Sequence, residues 1–298
     1  MVVVDRAALA DADCGISQAL GVMGDGWTFL IVRDIAGGTT RFDALQRALG
    51  VSRRALTERL ARLVEDGVLR RRQYSAHPPR YDYLLTAKGE GLLPVLVALQ
   101  DWGTRHVMGT GALTATADGA SAEARRVHAL TGRRLPDVTL TGHDGTPVDL
   151  CTRVGWTVLY CFPGAYAPGT HGYPPGWSDI PGAPGCTLES ITYAARHPAF
   201  LAHNAEVYGV STQRPDQLAA FVAHARLPFP LLSDQDLTLT TGLLLPTFRA
   251  GGVDRLKRLT LLADPTGTIR EVQFPVTDPA ASVDDVLATL TRLTRPPA

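Results

Sequence analysis

Two different patterns divide the chain, and the change between them near residue 135 restricts the fold more than any single motif. Before it, apolar residues recur at helical spacing in short runs, 16–23, 27–36 and 42–49, which Gly24-Asp25-Gly26 and Gly37-Gly38-Thr39 separate. After it, short apolar runs of strand character alternate with helical ones. The first pattern packs helix on helix, whereas the second needs a mixed sheet with helices on both faces. With 298 residues, each part is long enough to bury its own core. The expected division is a domain over 1–110, a linker over 111–134 rich in Gly, Ala, Thr and Ser with 123–130 open to a short helix, and a domain over 135–298.

Ser52 stands at the head of a longer helix in which Leu56, Leu60, Leu63 and Val64 form one apolar stripe, with Arg54, Glu58, Ala61, Arg62 and Glu65 opposite. Asp66-Gly67 ends that helix, and 68–74 and 80–85 read as two strands around Ser75-Ala76-His77-Pro78-Pro79. Helix, short turn, second helix and basic hairpin make the winged helix-turn-helix layout. In it the second helix enters the major groove while the hairpin and flanking cations meet phosphate. The formal net charge of zero hides a local excess: Arg53, Arg54, Arg59, Arg62, Arg70, Arg71, Arg72 and Arg80 crowd one stretch, opposed mainly by Glu58, Glu65 and Asp66. Charge runs are usually solvated surface, but these fall on the helix and hairpin of a DNA reader. Arg53, Arg54 and Thr57, with Ser52 at the helix head, are candidates for base or groove-edge contact, and Arg70, Arg72 and Arg80 for phosphate contact.

Met23-Gly24-Asp25-Gly26-Trp27-Thr28, Arg41-Phe42-Asp43-Ala44-Leu45, Leu56-Thr57-Glu58-Arg59-Leu60, Pro78-Pro79-Arg80-Tyr81-Asp82-Tyr83 with Leu85-Thr86, and Trp102-Gly103 together resemble the HxlR-type family of bacterial winged-helix regulators. The resemblance covers residues 14–107 and implies double-stranded DNA as a partner. It also implies a homodimer built through terminal helices, with a helix over 87–106 as its seam and Pro94 as a kink or break in it. Cys14 stands where that family commonly carries a cysteine, which in some relatives senses electrophiles or oxidants; the plainer reading is a small core residue.

In the second part, strands are expected at 135–140, 156–162, 206–212, 258–263 and 268–274, and helices at 187–203, 215–225, 237–243 and 282–293. Cys186 directly precedes the first of these helices. A thiol there sits at the positive end of the helix dipole, which favours thiolate and therefore attack on peroxides or disulfides. Cys14, Cys151, Cys161 and Cys186 contain no CxxC pair, which argues against zinc and against a disulfide framework. Asp234 and Asp236 lack a histidine at ligand spacing, so neither metal nor cofactor is expected.

Leu135-Pro136-Asp137-Val138-Thr139-Leu140 with Asp144-Gly145, Tyr160-Cys161-Phe162-Pro163-Gly164-Ala165, Pro184-Gly185-Cys186-Thr187-Leu188-Glu189, and Arg258-Leu259-Thr260-Leu261-Leu262 before Asp264-Pro265-Thr266-Gly267 resemble the peroxiredoxin family, in its alkyl hydroperoxide reductase and thiol-specific antioxidant branch. The resemblance covers residues 135–293 and implies a thioredoxin-like α/β fold. By it, Cys186 is the peroxidatic cysteine, Arg258 the arginine that holds the thiolate, and Thr187 their neighbour in the site. Three departures stand out. The threonine or serine expected three residues before the cysteine is Ala183. The run 162–170 resembles the active-site loop by itself, and in that alignment Thr170 takes the cysteine position. The partner cysteine that some relatives carry five residues downstream is Ile191, so reduction needs a small thiol, Cys161 or a cysteine of the other domain. His171, Tyr173 and Trp177 either line a pocket or pack the loop; Cys161 reads as core and Cys151 as strand edge.

No apolar run is long enough to span a bilayer, and the start, interrupted by Asp5, Arg6, Asp11 and Asp13, is unlike a signal peptide; a cytoplasmic location is expected. The fold expected is an α+β winged helix-turn-helix domain followed by an α/β thioredoxin-like domain. The function expected is a dimeric DNA-binding regulator whose second domain reacts with peroxide or a related oxidant and is restored by a thiol reductant. The alternatives are a thiol peroxidase with secondary DNA binding, and a regulator whose second domain senses a ligand or mediates dimerisation without turnover.

Overall fold

The computed structural model describes residues 9, 13–151, 154–170 and 172–295; the rest of the amino-terminal run and His171 lie outside the described residues. It divides into two compact units, Met1–Leu96 and Val97–Ala298.

In the first unit, α1 (Gly15–Met23), α2 (Gly26–Ala36), α3 (Phe42–Leu49) and α4 (Arg53–Glu65) precede a hairpin of β1 (Leu69–Ser75) and β2 (Arg80–Leu85). Local chemistry sets the helix ends. The Asp25 carboxylate accepts from the Thr28 N–H at 3.0 Å, and the Ser52 hydroxyl accepts from the Ala55 N–H at 3.2 Å, each satisfying a donor that the first helical turn leaves free. Between α3 and α4 the backbone turns through Gly50 at φ 65°, a conformation that a side chain disfavours. Met23, Ile31, Val32, Leu45, Leu56, Leu60 and Leu63 fill the core, so the expected stripe of α4 is the face that packs. The helix expected over 87–106, with Pro94 as its kink or break, is broken: α5 (Ala87–Glu90) stops, and α6 (Leu93–Trp102) restarts and runs into a π-helical turn, Gly103–Val107. Pro94 has no N–H to donate, a loss that a helix tolerates only in its first turn, and it stands second in α6, just after α5 has ended.

The second unit holds a seven-stranded sheet in the order β11 (Ile269–Gln273), β10 (Leu259–Ala263), β5 (Trp156–Cys161), β6 (Ala205–Ser211), β7 (Leu231–Ser233), β3 (Thr139–Gly142), β4 (Pro147–Asp149). β5, β6 and β7 run parallel, and the other neighbours are antiparallel. Side chains alternate between the faces of a strand, and the two core clusters follow that alternation. Leu159 and Cys161 join Leu239 and Leu243 of α10 (Thr238–Leu243) in one cluster. Val158, Tyr160 and Phe162 join α8 (Cys186–Ala202), α9 (Pro215–Ala225) and α11 (Ala281–Thr294) in the other. Helices therefore cover both faces, as the strand pattern requires.

The stretch 111–134 forms the short helix that 123–130 offered, and that helix packs into the second unit. This is α7 (Ala122–His128), capped by the Ser121 hydroxyl at 3.1 Å from the Ala124 N–H, with Ala124, Val127 and Leu130 buried in the first of those clusters. Its small apolar residues at helical spacing look like flexible composition until a sheet face is there to receive them. A further hairpin, β8 (Thr247–Ala250) with β9 (Val253–Leu256), turns on Gly251-Gly252 and was not anticipated. Among the described residues no helix is long and apolar enough to cross a membrane.

Leu60 is almost wholly buried, so Leu60→Ala should destabilise the first unit by about 2–5 kcal/mol, whereas Leu188→Ala, at an exposed position of α8, should change stability by less than about 0.5 kcal/mol in urea titrations of the full chain.

Candidate functional site

The basic surface of the first unit is built on α4 and the hairpin. Arg53 and Arg54 follow the Ser52 cap and point outward. Arg53 reaches Asp43 at 2.9 Å and lies over the Phe42 ring at 4.9 Å; Arg54 bonds Glu58 one turn on at 2.9 Å. The Thr57 hydroxyl donates back to the Arg53 carbonyl at 2.8 Å. On the hairpin, Arg70, Arg72 and Arg80 are exposed, with Arg72 at 3.3 Å from Asp82. Arg59, counted in the cluster from sequence, instead ties α4 to the start of α2 through Asp25 at 2.5 Å. All the candidate contact residues are thus displayed by one helix and one hairpin of the same unit.

In the second unit, Cys186 is the first residue of α8, preceded by Gly185 at φ 106°. Arg258, immediately before β10, places Nη2 3.4 Å from Cys186 Sγ and donates to the Pro184 carbonyl at 3.0 Å. Its Nη1 donates to the Glu189 carboxylate one turn along α8. The structure therefore brings Cys186 and Arg258 together. Thr170, the other occupant of the cysteine position, is exposed, with its hydroxyl donated to the Ala167 carbonyl at 2.6 Å. Thr187 is half-buried and hydrogen-bonded with the Tyr173 phenol of the inserted loop.

One expectation is overturned. The thiol was expected to be ionised and open to solvent, yet Cys186 is 2% exposed, and burial pushes it above its ordinary value despite the opposing pull of Arg258 and of the Gly164 backbone N–H. The helix dipole acts in the expected direction, but removing a sulfur anion from water costs more than it returns. Burial also pushes Glu189 up to about 7, against the attraction of Arg258.

The Gly164 N–H that meets the sulfur belongs to a loop held by side chains of which the residues announced Tyr173 and Trp177 but not Gln213 or Arg255. Gln213 accepts from the Ala165 N–H and donates to the Ala165 carbonyl, both at 2.8 Å. Arg255, buried on β9, donates to the Pro163 carbonyl and the Tyr166 phenol at 3.2 Å and lies 5.0 Å from the Trp177 ring centre. Gly164 passes between them at φ 152°, where a Cβ would stand 2.9 Å from Arg255 Nη1. Tyr173 stacks on Trp177 at 5.2 Å, so these loop aromatics pack as a cover. The only sequence signal for Arg255 was the Gly251-Gly252 hairpin turn just before it; Glu189 was visible as a carboxylate one helical turn beyond the cysteine.

The other thiols differ sharply. Cys161 is buried on the sheet face opposite Cys186, and burial pushes its thiol far up. Cys151 packs against that same opposite face, and its thiol donates to the Pro136 carbonyl at 3.1 Å. Its sulfur lies within 4.8 Å of the Asp137 and Asp149 carboxylates, but a sulfur that keeps its proton for a carbonyl is not a thiolate ligand. Cys14 is exposed at the head of α1, where the backbone N–H of Ser17 pulls its thiol below the ordinary value.

Comparisons with known proteins agree with both halves. The HxlR-like helix-turn-helix family matches residues 22–110, and the AhpC/TSA family matches residues 180–272. An uncharacterised HTH-type transcriptional regulator of Mycobacterium tuberculosis is 40% identical over 92 residues, which are 31% of this chain and 58% of the relative, so the chain spans little more than half of that protein. One from Methanothermobacter thermautotrophicus is 34% identical over 94 residues, 31% of this chain and 72% of the relative. The crystal structure of peroxidoxin BcpB from Mycobacterium tuberculosis is 27% identical, with a TM-score of 0.46, covering 56% of this chain and 98% of that one. With four helices and a basic hairpin in one unit and a helix-headed cysteine in the other, the chain belongs to the HxlR-like helix-turn-helix family and carries behind that domain a second one of the AhpC/TSA family.

Proposed function

We propose that this chain is a transcription regulator whose second domain reacts with peroxides through Cys186, and that this oxidation alters operator binding. The observation that carries the reading is the Arg258 guanidinium 3.4 Å from a sulfur at the head of a 17-residue helix. In the reaction, the Cys186 thiolate attacks the terminal oxygen of a hydroperoxide. An S–O bond forms, the O–O bond breaks, and the electron pair leaves with the departing oxygen, which takes a proton and departs as alcohol or water. Sulfur is oxidised to sulfenic acid and the peroxide is reduced. Arg258 holds the thiolate and meets charge moving onto the leaving oxygen. A small thiol then condenses with the sulfenic acid, releasing water, and a second thiol frees Cys186. The Tyr173 and Trp177 cover must part for peroxide to enter, and Thr187 connects that cover to the helix carrying the sulfur.

Arg53, Arg54 and Thr57 near the Ser52 cap read bases or groove edges, and Arg70, Arg72 and Arg80 hold phosphate. Exposed Val95, Leu99 and Trp102 on α6, and Ile16 and Leu20 on α1, support pairing of two copies through these helices. A DNA reader of this kind works in the cytoplasm, beside its operator.

A second reading is favoured by one contrast: Cys14 is exposed with its thiol drawn down, whereas Cys186 is sealed with its thiol pushed up. In that reading Cys14 is the redox sensor and the second domain recognises a ligand without turnover.

Thiol-driven consumption of hydrogen peroxide should be abolished in Cys186→Ser and kept in Cys14→Ser. Mass spectrometry after limited peroxide should find Cys186 sulfenylated; modification of Cys14 alone would transfer the chemistry to the first domain. Glu189 provides a pH signature. The unfolded carboxyl ionises near about pH 4.3, the folded one near about 7, so this group's contribution to stability is full below the first value and is lost as pH rises to the second. Over that window the stability difference between wild type and Glu189→Gln should shift against wild type, as followed by chemical denaturation at each pH. For DNA, Arg54→Ala should weaken binding to a specific operator by about 1–3 kcal/mol, and Arg72→Ala should weaken all DNA and lower the salt slope by about 1 in titrations across ionic strength.

A further inference from the structure

A cavity of about 290 Å³ opens in the second unit beside the π-helical turn Gly103–Val107, and Cys186, Arg258 and Glu189 are not in its lining. That volume holds about ten waters and falls at the small end of ligand pockets. Its apolar wall includes Met108, Leu113 and Phe248, and its floor includes Lys257. Lys257 is already neutralised, with Nζ 2.8 Å from Glu123 and 3.1 Å from the Thr116 carbonyl.

Two charges on the rim are different. Asp101, at the end of α6, makes no hydrogen bond or ion pair among the described residues. Arg105, four residues on, donates Nε to the Gly111 carbonyl at 2.6 Å and meets no carboxylate among the described residues. On a regular α-helix an acid followed four residues later by a cation would pair. Here the π-helical turn begins between them, and the two stand apart at the mouth of one cavity; such turns are frequent at functional sites. Burial raises the Asp101 carboxyl, with Asp254 and Glu123 adding to the shift and Lys257 and Arg105 opposing it, as for a carboxylate short of a close partner. The Thr116 hydroxyl, also lining the cavity, is buried with no partner among the described residues.

We propose that this cavity binds a free α-amino acid with an apolar side chain. The ammonium group meets Asp101, the carboxylate meets the terminal nitrogens of Arg105, and the side chain enters between Met108, Leu113 and Phe248. A separated acid and base matched to one zwitterion select against molecules carrying only one of the two charges.

The test is calorimetric titration of the full chain with L-alanine, L-valine, L-leucine, L-methionine and L-phenylalanine, each against its analogue lacking the amino group and its analogue lacking the carboxylate. At least one amino acid should bind, and both truncated analogues should bind weaker by about tenfold or more. Asp101→Asn, which removes no internal bond, and Arg105→Gln should each weaken that amino acid by a similar factor, with the unfolding temperature of ligand-free Asp101→Asn unchanged. Absence of binding by all five up to about 10 mM, a truncated analogue that binds as well as its parent, or undiminished binding by Asp101→Asn would overturn the proposal.

Discussion

A guanidinium shut away from water is among the costliest groups a protein core can hold, and Arg258 is such a group. Its position demands acceptors, and the chain brings them from two places. The Glu189 carboxylate and the Cys186 sulfur come from the first turns of α8, and the Pro184 carbonyl from the loop before it. Because Arg258 is fixed at the start of β10 beside β5, these contacts set where α8 begins relative to the sheet. The same arrangement limits the sulfur. Glu189 shares the cation with it, and both are buried. Proximity of a cation and ionisation of the thiol are separate matters here, and burial governs the second.

Elements whose signals are local were legible in the residues. Ser52 capped its helix, the Leu56, Leu60 and Leu63 stripe faced the core, and the helix over 215–225 formed with those bounds, because capping and helical spacing are decided within a few residues. Of the second site, the pairing of Cys186 with Arg258 was legible through family resemblance, although 72 residues separate them. The state of the thiol was not, because no local pattern reports how far distant segments exclude water. Within 111–134 the short helix was legible but its burial was not: Ala124 and Val127 are too small to declare a core face until the sheet is there to receive them.

On the first unit, the arginines offered to DNA are not idle in its absence. Arg54 holds Glu58, Arg53 holds Asp43, and Arg72 holds Asp82. The first two pairs are exposed at both ends and contribute little to stability, so exchanging their carboxylates for phosphate costs little, whereas Asp82 is buried and also meets Arg41 and Thr40.

The sheet separates the sulfurs of the second unit: Cys161, on β5, and Cys151 belong to the layer on one face, and Cys186, on α8, to the layer on the other. Neither can reach across an intact sheet to close a bridge with it. If Cys186 is oxidised as proposed, no thiol of that unit stands on its side of the sheet to reset it. The lifetime of the mark is then set by the supply of thiols in the surroundings, so the domain would keep a memory of past exposure whose clock runs outside the molecule.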